Sequence, residues 1–145
     1  PKLERIIAEL KLEERVIITG FQPFETMPRY INLATVCIIT FPVTDTTRDI
    51  FPTKVLQYMA CSKATLAMPL PGMMALAPGE PQGIVYADTP TDMASEIVAL
   101  LKDSKRRQRL GEAALSYVQE AHGDDRIAQQ FEAVLNEIVA SGKAA

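Results

Sequence analysis

Asp49-Ile50-Phe51-Pro52-Thr53-Lys54-Val55-Leu56-Gln57-Tyr58-Met59-Ala60-Cys61 reads as a loop, a helix-opening proline and then a helix. Pro52 suits the first helical position, where its missing N–H costs nothing. Thr53 and Lys54 then fall in the first turn, among N–H groups that have no partner inside the helix. A hydroxyl and an ammonium at a helix start that follows a strand suit a phosphate. Gln57 lies four residues after Thr53 and shares its face, extending the polar strip towards a sugar hydroxyl. The same residues also fit an ordinary solvated first turn, and Asp49 fits a plain loop carboxylate.

Working outward, β-branched and apolar runs predict strands over residues 15–19, 35–41, 64–68 and 83–86. Helical spacing predicts helices over 2–11, 26–34 and 52–61. Beyond residue 90 the pattern is helical only. Met93, Ile97, Leu100 and Leu101 share one face, Leu110, Ala113, Ala114, Tyr117 and Val118 another, and Ile127, Phe131, Val134, Leu135 and Ile138 a third. The basic run from Lys105 to Arg109 reads as a solvated face. Strands alternating with helices imply an α/β fold, a Rossmann-like parallel sheet with flanking helices and a C-terminal helical segment. Ligands of such sheets sit outside the carboxyl ends of the strands. The loops over 43–51 and 68–82 should therefore wall one cleft. The segment from Leu66 to Pro78 is almost wholly apolar and reads as packed on the core. An apolar lip at Met73 and Met74, for a lipid-linked acceptor or a membrane surface, is the other reading.

Composition narrows the classes. The 145 residues fit one domain, 1–145, with 90–140 as its all-helical part. A net charge of −3 gives nucleic acid no electrostatic invitation. No apolar run reaches the roughly 20 residues that a membrane span needs, and no secretory leader is visible. Cys37 and Cys61 fit buried thiols of a reducing compartment rather than a metal site or a disulfide framework. These features point to the cytoplasm, with peripheral membrane attachment as a variant. The single histidine, His122, reads as a surface or capping residue in a turn between helices.

Five blocks resemble a known family in their order and spacing. They are residues 15–21 (RVIITGF), 27–36 (MPRYINLATV), 51–61 (FPTKVLQYMAC), 83–86 (GIVY) and 103–114 (DSKRRQRLGEAA). Together they resemble the C-terminal, donor-binding domain of GT-B glycosyltransferases of the family-4 or group 1 type. The resemblance implies a nucleotide-sugar donor substrate with no separate cofactor, and no metal is called for, since no Asp-X-Asp pair occurs at a strand end. Relatives carry two glutamates eight positions apart, the first facing the donor sugar and the second holding the ribose. Those places fall on Asp49 and Gln57 here. Pro52, Thr53 and Lys54 match a helix opening expected to face the diphosphate. Pro71 and Gly72 stand where relatives have a Gly-Gly pair bordering the donor.

The same resemblance implies what is missing. Relatives open this domain with a strand-helix-strand unit, which carries an Arg and a Lys for the leaving diphosphate, and an acceptor-binding N-terminal domain precedes it. Without that unit, strands at 16–19 and 36–40 lose their neighbours. They are expected either to pair directly with each other or to drive homodimerisation. The reading is the donor half of a retaining glycosyltransferase, catalytically silent as the isolated chain. Two alternatives stay open, a non-catalytic nucleotide- or sugar-phosphate-binding module and a doubly wound protein-interaction domain.

Overall fold

Three short strands, β1 (Cys37–Ile39), β2 (Thr65–Ala67) and β3 (Ile84–Tyr86), form a parallel sheet in the order β1-β2-β3. The structure, a computed structural model, describes residues 2–142. Cys37 lies opposite Thr65, and Thr65 opposite Ile84. All three β2 residues are buried, as a central parallel strand covered on both faces requires. The helices are α1 (Lys2–Glu9), α2 (Met27–Leu33), α3 (Thr53–Ala60), α4 (Pro71–Leu76), α5 (Pro90–Lys102), α6 (Ser104–His122) and α7 (Asp124–Ser141), and the core cover comes from α3 to α6. The fold is α/β and Rossmann-like.

The core has two halves, one on each face of the sheet. Ile39, Ala67 and Ile84 pack with Val55 and Met59 of α3, Met73 of α4 and Ala114 of α6. Leu66 and Val85 pack with Met93 and Leu100 of α5 and Leu110 of α6. Burying each Met or Leu of this kind contributes about 1.5–3 kcal/mol. Gly111 lets α6 cross the end of α3 closely, because a Cβ there would run into the Ser62 carbonyl. Thr89 caps α5, accepting from Asp92 N at 3.1 Å, and Pro90 follows at the first helical position. Asp103 caps α6 in the same way, accepting from Arg106 N at 2.8 Å.

Several expectations are corrected. Residues 15–19 form no strand and pair with nothing in the sheet, and Ile17 is 85% exposed. A parallel strand takes its backbone partners from a neighbour, and no described strand lies alongside it. The sheet is thus not repaired by direct pairing, and β1 is an edge. The stretch 68–82 is not an irregular loop but holds α4 and a 3₁₀ turn, Glu80–Gln82. Met73 is core, as the packed reading holds, whereas Met74 faces out.

The basic run is not simply solvated. Arg106 bridges Glu80 and Glu96, and Arg107 donates to the Leu100 and Leu101 carbonyls at the end of α5. The apolar stripe of α7 does share one face, but it is uncovered: Ile127, Phe131, Val134, Leu135 and Ile138 are all exposed. Cys37 is buried, and desolvation pushes its thiol up to about 11, whereas Cys61 is only half-buried. His122 is the last residue of α6 rather than a turn residue, and it is packed rather than superficial.

Candidate functional site

The loop that leaves β1 is shaped by its own threonines. Thr47 donates to the Pro42 carbonyl and accepts from the Thr44 amide at 2.8 Å, and the Arg48 amide donates to the Thr44 carbonyl at 2.9 Å. Such side-chain to backbone bonds build a turn in place of regular structure. The turn delivers Arg48 and Asp49 to the start of α4. There the Gly72 amide donates to the Arg48 carbonyl at 2.7 Å. A Cβ on Gly72 would stand 2.5 Å from the Asp49 carbonyl carbon. The two loops predicted to wall one cleft instead pack against each other at Asp49 and Gly72, and no residue of either lines the cleft described below. The Asp49 carboxylate points outward and lies 3.7 Å from Arg48 Nε.

Phe51 and the buried Pro52 then lead into α3. Pro52 is the cap residue rather than the first helical one, with φ −65° and ψ 121°, and its carbonyl accepts from the Val55 amide at 2.9 Å. Its ring still suits the place, because the cap position likewise asks for no N–H inside the helix. The cap residue makes no side-chain bond to α3, which leaves the Thr53 and Lys54 N–H groups without a partner inside the helix. Thr53 and Lys54 are exposed in this first turn. Lys54 Nζ stands 4.9 Å over the Phe41 ring, a cation–π contact that holds the ammonium near the carboxyl end of β1.

Gln57, one turn on, is half-buried and opens into a cleft of about 460 Å³. The opposite wall comes from Gly20, Phe21, Phe24 and Tyr30. Gly20 has φ +66°, a turn that few side chains tolerate, and the Gln22 side-chain Nε2 donates to the Thr19 carbonyl at 2.6 Å across it. This wall was not singled out from sequence. A glycine closing an apolar run and followed by aromatic residues is the signal that marks it. The lining includes Gln57 but not Asp49, Thr53, Lys54 or Gly72. The candidates therefore form two groups joined by α3: a loop clasp at its start and a cleft one turn further along.

A family model described as glycosyl transferases group 1 matches residues 1–103. The chain belongs to that family. No curated protein and no solved structure matches it. In this group 1 glycosyltransferase chain the matched span contains the cleft, the Asp49–Gly72 clasp and all of α3, while α6 and α7 lie beyond it. Among the described residues no helix is long and apolar enough to cross a membrane.

Proposed function

We propose that this glycosyltransferase domain binds a nucleoside-diphosphate sugar and presents it for transfer to an acceptor hydroxyl. The nucleoside occupies the cleft beside Phe21 and Tyr30, with the Gln57 amide on the ribose hydroxyls. The diphosphate lies at the start of α3, against its open N–H groups, Thr53 and Lys54. Asp49 faces the transferring sugar, and Gly72 borders it with its backbone. In the reaction the bond from the anomeric carbon to the diphosphate breaks, its electron pair leaving with the phosphate. A new bond forms to the acceptor oxygen on the same face, and its proton passes to the departing phosphate oxygen, so the configuration is retained. Lys54, Arg48 and the helix start offset the charge that grows on the leaving group. Acceptor recognition falls to a second domain, and the chain by itself binds the donor without transferring it.

The observation that carries this reading is the place of Gln57. It opens into the cleft from the helix whose first turn presents Thr53 and Lys54. The second reading, a binding module without turnover, is favoured by an amide rather than a carboxylate at this position. Calorimetric titration with UDP, GDP and ADP tests the donor site. One of the three should bind saturably; Lys54→Ala should weaken it by roughly tenfold or more, the scale of a lost hydrogen bond to a charged group, and Gln57→Ala by about fivefold, the scale of a neutral one. Absence of binding to all three would remove the donor reading. Transfer from the bound donor, assayed with the acceptor domain present, separates the enzyme from the module.

A further inference from the structure

The last carbonyls of a helix have no partner inside it, and at the end of α4 two tyrosines provide one. The Tyr117 hydroxyl of α6 donates to the Leu76 carbonyl at 2.8 Å, and the Tyr86 hydroxyl of β3 donates to the Ala77 carbonyl at 2.6 Å. Burial raises the Tyr117 phenol above its ordinary range, so the hydroxyl keeps its proton. That one hydrogen is already donated to Leu76. With that hydrogen on the Leu76 carbonyl, the His122 Nε2 at 3.3 Å is left to donate to the Tyr117 oxygen. The His122 ring stacks on Phe51 with centroids 6.0 Å apart, and meets Tyr117 edge-on at 5.3 Å.

These contacts reach both segments that frame the candidate donor site. Phe51 lies two residues after Asp49 and leads into Pro52 and Thr53. Leu76 closes the helix whose Gly72 rests on the Asp49 backbone. Both tethers start from the end of α6, outside the matched span.

We propose that His122 and Tyr117 are positioning residues that clamp the Asp49–Gly72 clasp shut, one holding the loop through Phe51 and the other holding α4 through the Leu76 carbonyl. The meaning of the clamp for donor binding rests on the proposed function, but its mechanics do not. Site-resolved amide hydrogen exchange on the ligand-free chain reads it directly. Tyr117→Phe keeps the ring and removes only the hydroxyl. In that variant and in His122→Ala the Gly72 amide should exchange roughly tenfold faster, while Leu66 in the central strand is unchanged. His122→Phe retains the stack on Phe51 and should restore part of the protection.

A purely structural role would speed Gly72 and Leu66 together. That outcome, or unaltered Gly72 protection in both variants, overturns the clamp. Loss of Gly72 protection alone supports it whether or not a nucleotide binds. Nucleotide binding with Gly72 protection unaltered would overturn the clamp and leave the donor reading in place.

Discussion

Gly72 rests on the backbone of Asp49 so closely that a methyl group between them has no room, its carbon falling 2.5 Å from the Asp49 carbonyl carbon. The neighbour is backbone rather than the end of a flexible side chain, so it cannot step aside. Gly72→Ala must part α4 from the β1–α3 loop. The expected cost is about 1–3 kcal/mol, as for other overpacked sites, read by urea unfolding. Nucleotide affinity should fall with it. An alanine variant as stable as the parent would show that the two segments separate freely.

Gln57 offers a gain rather than a loss. A carboxylate accepts a hydroxyl hydrogen roughly twice as strongly as an amide does. Gln57→Glu should therefore tighten binding of the preferred nucleoside diphosphate by about fivefold, near 1 kcal/mol. A 2′-deoxy analogue should not share the gain. Equal affinities for variant and parent would move Gln57 away from the ribose.

Arg106 joins three parts of the chain through Glu80 and Glu96, at 2.5 and 2.9 Å, with its side chain only 22% exposed. Arg106→Leu leaves two carboxylates close together without their cation. A loss of about 1–3 kcal/mol in unfolding free energy follows from bonds of this type. Arg106→Lys should recover little, because an ammonium cannot reach both carboxylates as a planar fork does. Full recovery with lysine would mean that charge alone matters.

Alkaline pH should weaken the fold. Burial lifts the Cys37 thiol from 9.0 to about 11 and the Tyr86 phenol from 10.0 to about 12. Both groups are neutral when protonated, and both hold their protons more tightly folded than unfolded. Their contribution is complete below about pH 9 and is lost as the pH rises towards 11 and 12. Thermal melting should fall across that window, and Cys37→Ala should flatten its lower part. In the native state a thiol reagent should modify the half-buried Cys61 first and Cys37 only on unfolding. Equal rates for the two thiols would contradict the burial of Cys37.

The parallel sheet was legible because short apolar runs such as Cys37–Ile39 and Thr65–Ala67 recur between helical stretches, and so was the polar first turn at Thr53 and Lys54. The failures share one cause, which is contact between residues far apart in the chain. The run 16–19 has the composition of a strand, but no neighbour to complete it lies in the sheet. Pro71 and Gly72 read as loop residues, yet Pro71 opens α4 and Gly72 meets Asp49. The charges of Arg106 looked solvated because Glu80 and Glu96 are distant in sequence. Gln57 was found as a helix-face residue, whereas the opposite wall of its cleft comes from Gly20, Phe21 and Tyr30.

The unpaired run Val16-Ile17-Ile18-Thr19 bears on handling as much as on architecture. Four β-branched residues without a charge or a proline make an adhesive ribbon on the outside of the molecule, and the bare edge of β1 is a second one. Copies at high concentration should precipitate through these ribbons while each core stays intact. A single gatekeeper charge, Ile17→Lys, should then raise the solubility limit and leave the melting temperature where it was.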